Sequence, residues 1–382
     1  MAAVVVTRQN VLGYRFRAQG LDRTAGPGHG PGHGPGHGLG GLLGIGVQDT
    51  PAGTADTALA VRGVPERPAG TRVVWSWRGA PHLHAEADLR ALATAGWPVD
   101  DEDATRRIIS PRIREGARRG LEAFRVAAQA LRDAVDEGPA GSGVPKGEVS
   151  RRVSAAVPDD LNFDCPACAS RHVSGGLFQL VGAAAGVEVL TRGRSTHLAP
   201  LPARLRVPRV PAAGGSGPGA MLSRYLLVNG PASSAALAAW AGMSVTALKP
   251  FLPPGLVPVT TPVGRAWMPE EALGDLTSAG LPGHVRLLPG GDPWLGVRDR
   301  ELVVPDARRR EDVYKALSNP GVLLVDGDVT GTWRARLGRG RVLEITLSAP
   351  DDVPTRLMRR IEAEAALIAP TRGAADFTVS TG

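Results

Sequence analysis

At 382 residues the chain is long enough for two to four domains with sizeable cores, and 43% apolar residues exclude a wholly disordered protein despite 50 glycines and 33 prolines. A formal charge of +7 favours a polyanionic partner such as nucleic acid. Two cysteines exclude a disulfide framework and fit a cytoplasmic protein, and no apolar run approaches the roughly 20 residues that span a bilayer, so no membrane is expected.

Residues 8 to 19 predict an opening helix with Val11, Leu12 and Phe16 on one side. A strict four-residue Gly-Pro-Gly-His repeat follows, carrying His29, His33 and His37; it cannot form a packed core and reads as a disordered insertion over 24–38. A glycine-rich helix from Leu39 leads to Gln48-Asp49-Thr50-Pro51, and a second helix starts near Thr54 with Ala58, Leu59 and Val61 inside. Gln48 and Asp49 thus fall at a turn, where they can face a cleft; spacing alone favours the alternative, that Asp49 or Thr50 caps the next helix. Alternating Val73, Trp75 and Trp77 and a return strand through His82 and His84 predict a hairpin, with both histidines on one face as surface or interface residues.

Residues 106 to 137 carry the densest positive charge. Leu121, Phe124, Ala128, Leu131 and Val135 mark an amphipathic helix, and Arg118, Arg125 and Arg132 recur every seventh residue as one stripe. Arg106, Arg107, Arg112 and Arg114, just upstream, are the better phosphate candidates. A helix over 146–156, a helical stretch over 173–186 and a hairpin over 187–198 follow. Cys165-Pro-Ala-Cys168 with His172 offers three zinc ligands where a structural site takes four. His197 or a water can supply the fourth; otherwise these are two unrelated buried thiols, and no metal or other cofactor is expected. A redox motif needs a preceding strand, which Asn162-Phe163-Asp164 suits poorly.

Met221 to Met268 holds the most regular pattern: a helix ending at Gly230-Pro231, one capped by Ser233 or Ser234, and a third opened by Ser244 with Val245, Leu248 and Phe251 inward. Two strands, Leu256 to Val259 and Arg265 to Met268, close the unit. Three helices and a hairpin predict a winged helix, whose third helix would offer Ser244, Thr246 and Lys249 to a DNA groove and whose hairpin would offer Thr260, Thr261 and Arg265 to the backbone. The same order occurs twice upstream. The expected fold is therefore mainly α with β-hairpin wings (α+β): winged helices over 1–104, 105–203 and 221–283, a linker over 204–220, and a strand-rich C-terminal domain over 284–382 with a closing helix at 355–369. Asp292, Arg298, Asp299 and Arg300 cluster near its entry, to line a cleft or pair with one another.

Six stretches carry a resemblance to a known family: GVQD (46–49), RGAPHLHAEADL (78–89), CPACASRHVSGGLF (165–178), GPASSAALAAWAG (230–242), LLPGGDPWLGVRDRELVVP (287–305) and NPGVLLVDGDVTGTWR (319–334). The chain resembles the bacterial winged-helix family that includes the AlkZ and YcaQ crosslink-repair DNA glycosylases. The resemblance implies tandem winged helices around a DNA channel and hydrolysis of the N-glycosidic bond of alkylated or crosslinked purines by a Gln-x-Gln or Gln-x-Asp pair. Laid on Gly46 to Asp49, that motif keeps Gln48 and replaces its partner by Gly46; one residue further, Gln48 comes first and Thr50 takes the second place. Gln48 and Asp49 are the expected catalytic pair. Arg106, Arg107, Arg112, Arg114, Arg118, Thr246, Lys249, Arg265, Arg298 and Arg300 are the expected DNA contacts of a monomer on double-stranded DNA. A DNA-binding protein that has lost the chemistry is the alternative.

Overall fold

A computed structural model of the chain describes residues 4–23, 38–76, 78–138, 142–209, 217–281, 283–315, 318–349 and 353–382. The His-Gly-Pro repeat, with His29, His33 and His37, and Trp77 lie outside the described residues. Mixed helices and strands make an α+β chain. It divides into two compact units, one built from Met1–Ala69, Arg224–Leu237 and Pro254–Gly382, the other from Gly70–Ser223 and Ala238–Pro253.

In the first unit, a capping box starts the helix Arg8–Ala18: the Thr7 hydroxyl accepts from the Asn10 amide at 3.1 Å and the Asn10 side chain accepts from the Thr7 amide at 3.0 Å. The expected one-sided burial is corrected here, because every residue from Val11 to Phe16 is buried. Two cores explain it. Leu12 and Phe16 enter one with Trp294, Leu323, Ile345 and Ile361, while Val11, Tyr14 and Ala18 enter another with Val259, Met268 and Leu276.

Five strands form the C-terminal sheet in chain order: Val285–Leu288, Gly321–Val325, Asp328–Leu337, Val342–Ser348 and Asp376–Thr381. The first four pair antiparallel; the last pairs parallel because the helix Thr355–Thr371 carries the chain across. Asp326 and Gly327 both adopt positive φ, the geometry that a two-residue hairpin turn requires. The hairpin Leu256–Thr261 with Gly264–Pro269 also belongs to this unit, extended by Val4–Val5 alongside Val259 and Thr260.

In the second unit, strands lie side by side in the order Pro81–Ala85, Thr71–Trp75, Val187–Arg192, Ser195–Pro200 and Val144–Pro145. The long helix Leu121–Asp136 buries Phe124, Ala128, Leu131 and Val135, as its periodicity predicts. Three expectations are corrected. Arg118 lies outside this helix, so the seven-residue stripe does not form; Arg132 instead donates to the Ala184 and Ala185 carbonyls. His82 and His84 are buried rather than at a surface. Asn162–Cys165 is a strand after all, paired with Ser170–Val173 and held by buried Phe163.

Capping signals place the remaining short helices. The Ser233 hydroxyl accepts from the Ala236 amide and Ser244 from the Ala247 amide, each at 3.1 Å, opening Ser234–Ala241 and Val245–Leu248. Leu248 is buried as expected, but Val245 is exposed because the helix lasts barely one turn.

Candidate functional site

Gln48 ends the two-residue strand Val47–Gln48, half-buried, and Asp49 follows at 8% exposure. The Asp49 carboxylate is held by its own loop. Its Oδ1 accepts from the Gly53 amide at 2.8 Å and the Ala55 amide at 3.1 Å, which satisfies free amides where the helix Thr54–Ala60 begins. Its Oδ2 faces Arg67 at 3.7 Å, and Arg67 grips Asp56 with two bonds of 2.8 and 2.9 Å. Arg372 completes this charged group: burial lowers its pKa, while Asp49 and Asp56 oppose that shift.

The Gln48 carboxamide rests on Gly291, in the Pro-Gly-Gly-Asp turn after the first C-terminal strand. A Cβ at Gly291 would stand 3.2–3.3 Å from the Gln48 side-chain Cδ, Nε2 and Oε1, and Gly291 has φ +83°. The positive φ favours glycine there, and a Cβ would press the Gln48 amide to shift by a few tenths of an ångström. The next residue, Asp292, makes a buried two-bond pair with Arg62 at 2.7 and 2.8 Å. Of the two readings of Asp292, Arg298, Asp299 and Arg300, lining a cleft or pairing with one another, the mutual pairing does not form. Asp299 instead takes Nη1 and Nη2 of Arg15, whose Nη2 also donates to the Pro231 carbonyl and whose Nε donates to the Gly230 carbonyl. Arg298 is exposed, and exposed Arg300 lies over the Tyr314 ring at 4.1 Å.

A family model described as DNA glycosylase AlkZ-like matches residues 45–370, from just before this loop to just before Arg372. The chain belongs to this AlkZ-like family. Its fold is similar to that of the Streptomyces sahachiroi DNA glycosylase AlkZ, with TM-score 0.68, 18% identity, and coverage of 99% of this chain and 100% of that one. No curated protein matches it by sequence. No helix among the described residues is long and apolar enough to cross a membrane.

Beyond the Gln48 loop, the AlkZ-like chain carries its candidate phosphate contacts on the second unit. Arg112, Arg114 and Arg118 are exposed; Arg112 lies over the Phe163 ring at 4.5 Å, and Arg118 pairs with Glu115 at 2.7 Å. Arg106 is exposed and donates to the Gly242 carbonyl. Arg107 differs: its side chain is 4% exposed and bound to buried Asp103 at 2.7 Å, so its charge is neutralised internally. Thr246 and Lys249 are exposed on the second unit. On the first unit, Arg265 is exposed beside Trp267, Thr260 is exposed, and Thr261 is buried with its hydroxyl donating to the Gly264 carbonyl.

Cys165, Cys168 and His172 bring one ligand atom each to within 4.8 Å of one another, so they are neither unrelated nor both buried. A hydrogen bond with His172, followed by bonds with Cys168 and Ala167, lowers the Cys165 thiol pKa to about 6. His197 does not join this group.

Sequence reasoning missed Gly291, Arg67 and Arg372 as neighbours of Gln48 and Asp49. The Gly-Gly pair is the one visible signal, since adjacent glycines in a turn often mark close approach. Nothing local marks Arg67 or Arg372.

Proposed function

We propose that this chain binds double-stranded DNA as a monomer through winged-helix modules at 1–104, 105–203 and 221–283 and hydrolyses the N-glycosidic bond of alkylated or crosslinked purines. The observation that carries this reading is the family match over residues 45–370, which includes the Gln48 loop. An alkylated purine is already cationic and leaves readily, so the protein needs chiefly to hold a water and steady the developing positive charge on the sugar. Gln48 orients the water, its amide kept in place by Gly291. Asp49 holds the loop through Gly53 and Ala55 and adds negative charge beneath it. Arg112, Arg114 and Arg118 supply exposed positive charge for phosphates, with Thr246, Lys249, Arg265, Arg298 and Arg300 as further contacts.

DNA bearing an N7-alkylguanine or a nitrogen-mustard crosslink tests this, with abasic sites counted after alkali. Release well above the spontaneous rate is expected, falling about 100-fold in Gln48→Ala. Release at the spontaneous rate by folded wild type sinks the catalytic reading.

The second reading, a DNA-binding protein without the chemistry, is favoured by one observation: Oδ1 of Asp49 is already engaged by two amides. It predicts salt-dependent DNA binding with no base release.

A further inference from the structure

Strand pairing, not sequence spacing, assembles the group at the tip of the hairpin Asn162–Cys165 with Ser170–Val173. Phe163 stands opposite His172 and Cys165 opposite Ser170, so Phe163, Cys165 and His172 project from one face. The turn returns Cys168 to the same place, with Ala169 at φ +50°. The three ligand atoms then lie within 4.8 Å of one another. In a tetrahedral zinc site, bonds of about 2.3 Å to sulfur and about 2.0 Å to nitrogen put ligand atoms roughly 3.5–3.8 Å apart. Drawing these three together thus takes about 1 Å of movement at an exposed turn.

The histidine is oriented for the task. Its Nδ1 lies 2.9 Å from the Val173 carbonyl, which can only accept, so Nδ1 carries the proton and Nε2 keeps its lone pair. Ligand histidines commonly donate their second nitrogen to a carbonyl, which fixes the tautomer and the ring. The Phe163 ring, 4.6 Å from His172 and nearly edge-on, holds the other side.

We propose that Cys165, Cys168 and His172 bind one zinc ion or a similar borderline-soft divalent cation, with solvent as fourth ligand. Among the described residues no other histidine, cysteine or carboxylate joins the group, so the fourth position is open to water. Two thiolates and an imidazole suit zinc over magnesium or calcium, which take oxygen ligands. On binding, any thiol proton is released and two Zn–S bonds and one Zn–N bond form, with no change of oxidation state. The ion would tie the turn to the strand that carries Phe163.

The full-length chain with reduced thiols, titrated with Co2+ alone, tests the site. Expected is uptake of one Co2+ per chain, with thiolate-to-cobalt absorption and tetrahedral d–d bands, both bleached by one equivalent of Zn2+. Because Cys168 is exposed, Cys168→Ser should keep the fold by circular dichroism yet weaken Co2+ binding at least about 100-fold. His172→Ala should retain the thiols and lose the tetrahedral bands. Wild type that takes up no more Co2+ than Cys168→Ser, shows only weak octahedral bands, or forms a Cys165–Cys168 disulfide in place of metal uptake overturns the proposal.

Discussion

Two sets of arginines, three buried in the first unit and four exposed in the second, do opposite work. In the first unit, Arg15, Arg62 and Arg286 have side chains 1%, 2% and 6% exposed, facing Asp299, Asp292 and Glu364. In the second, Arg118 is 65% exposed and Arg106 42%, and Arg112 and Arg114 are also exposed. The buried guanidiniums fix chain segments far apart in sequence: Arg62 alone binds Asp292 and the Gln19 and Ala58 carbonyls. The Arg15–Asp299 and Arg62–Asp292 pairs are each neutral and add nothing to the net charge of +7, while Glu364 is shared by Arg23 and Arg286. Arginine content is therefore no footprint for a polyanion until the internal pairs have been subtracted.

The sharpest way to break this contrast is to remove one arginine of each kind. Arg62→Ala leaves the Asp292 carboxylate buried with the Trp294 amide still donating to it, and should cost about 3–5 kcal/mol in urea unfolding. Arg114→Ala, in the same assay, should stay within about 0.5 kcal/mol. Equal losses would refute the division. Replacing both members, Arg62→Met with Asp292→Leu, should recover much of the loss, because no lone charge is then left inside.

A second contrast sets the paired cations of the first unit against a buried base of the second. Burial, with the charges of Arg78 and His84 adding to it, holds the His82 pKa down to about 3, while the Ala80 carbonyl pulls the other way. The folded pKa lies below the ordinary 6.5, so the unfolded chain takes the proton first. Stability from neutral His82 is complete above about pH 6.5 and is lost as pH falls toward 3. At pH 5 the loss should approach about 2 kcal/mol, at roughly 1.4 kcal/mol per pH unit. Denaturation at pH 7 and pH 5 measures it, and His82→Asn should flatten the difference. An unchanged slope in that variant would assign the pH dependence to other groups.

What the sequence revealed follows from the range of the forces involved. Ser233 and Ser244 act three residues away, and Asp326-Gly327 sets its own turn, so these boundaries were legible. The C-terminal strands and the closing helix were legible through periodicity. Arg62 with Asp292 is separated by 230 residues and leaves no local trace. Helix Arg8–Ala18 looked one-sided because its second buried face, Tyr14 and Arg15, meets partners beyond residue 220. At the Gln48 loop, the capping role of Asp49 was readable from its position before Thr54, whereas contact with Gly291 was not.

Gly291→Ala offers a smaller effect that probes the Gln48 loop itself. A left-handed φ costs an alanine about 1–2 kcal/mol, and its Cβ would crowd the Gln48 amide at 3.2 Å. A loss of that size is expected, together with slower base release in the adduct assay. Gln48→Ala in the Gly291→Ala background should then slow release by less than it does alone, since the amide has already been displaced. Full additivity of the two would show that Gly291 acts on stability alone.

The smallest stability effect carries the most information about DNA. Arg112→Ala gives up the ring contact with Phe163, and Arg114→Ala gives up no ion pair among the described residues, so folding should change little in either. If these guanidiniums face phosphates, each replacement weakens binding to duplexes of every sequence and reduces the slope of log affinity against log salt by about 0.9. Arg107→Ala should behave in the opposite way. Its charge is already neutralised by Asp103, so it should lower stability and leave the salt slope unchanged. A slope that moves with Arg107 but not with Arg112 or Arg114 would relocate the DNA contact away from this exposed cluster.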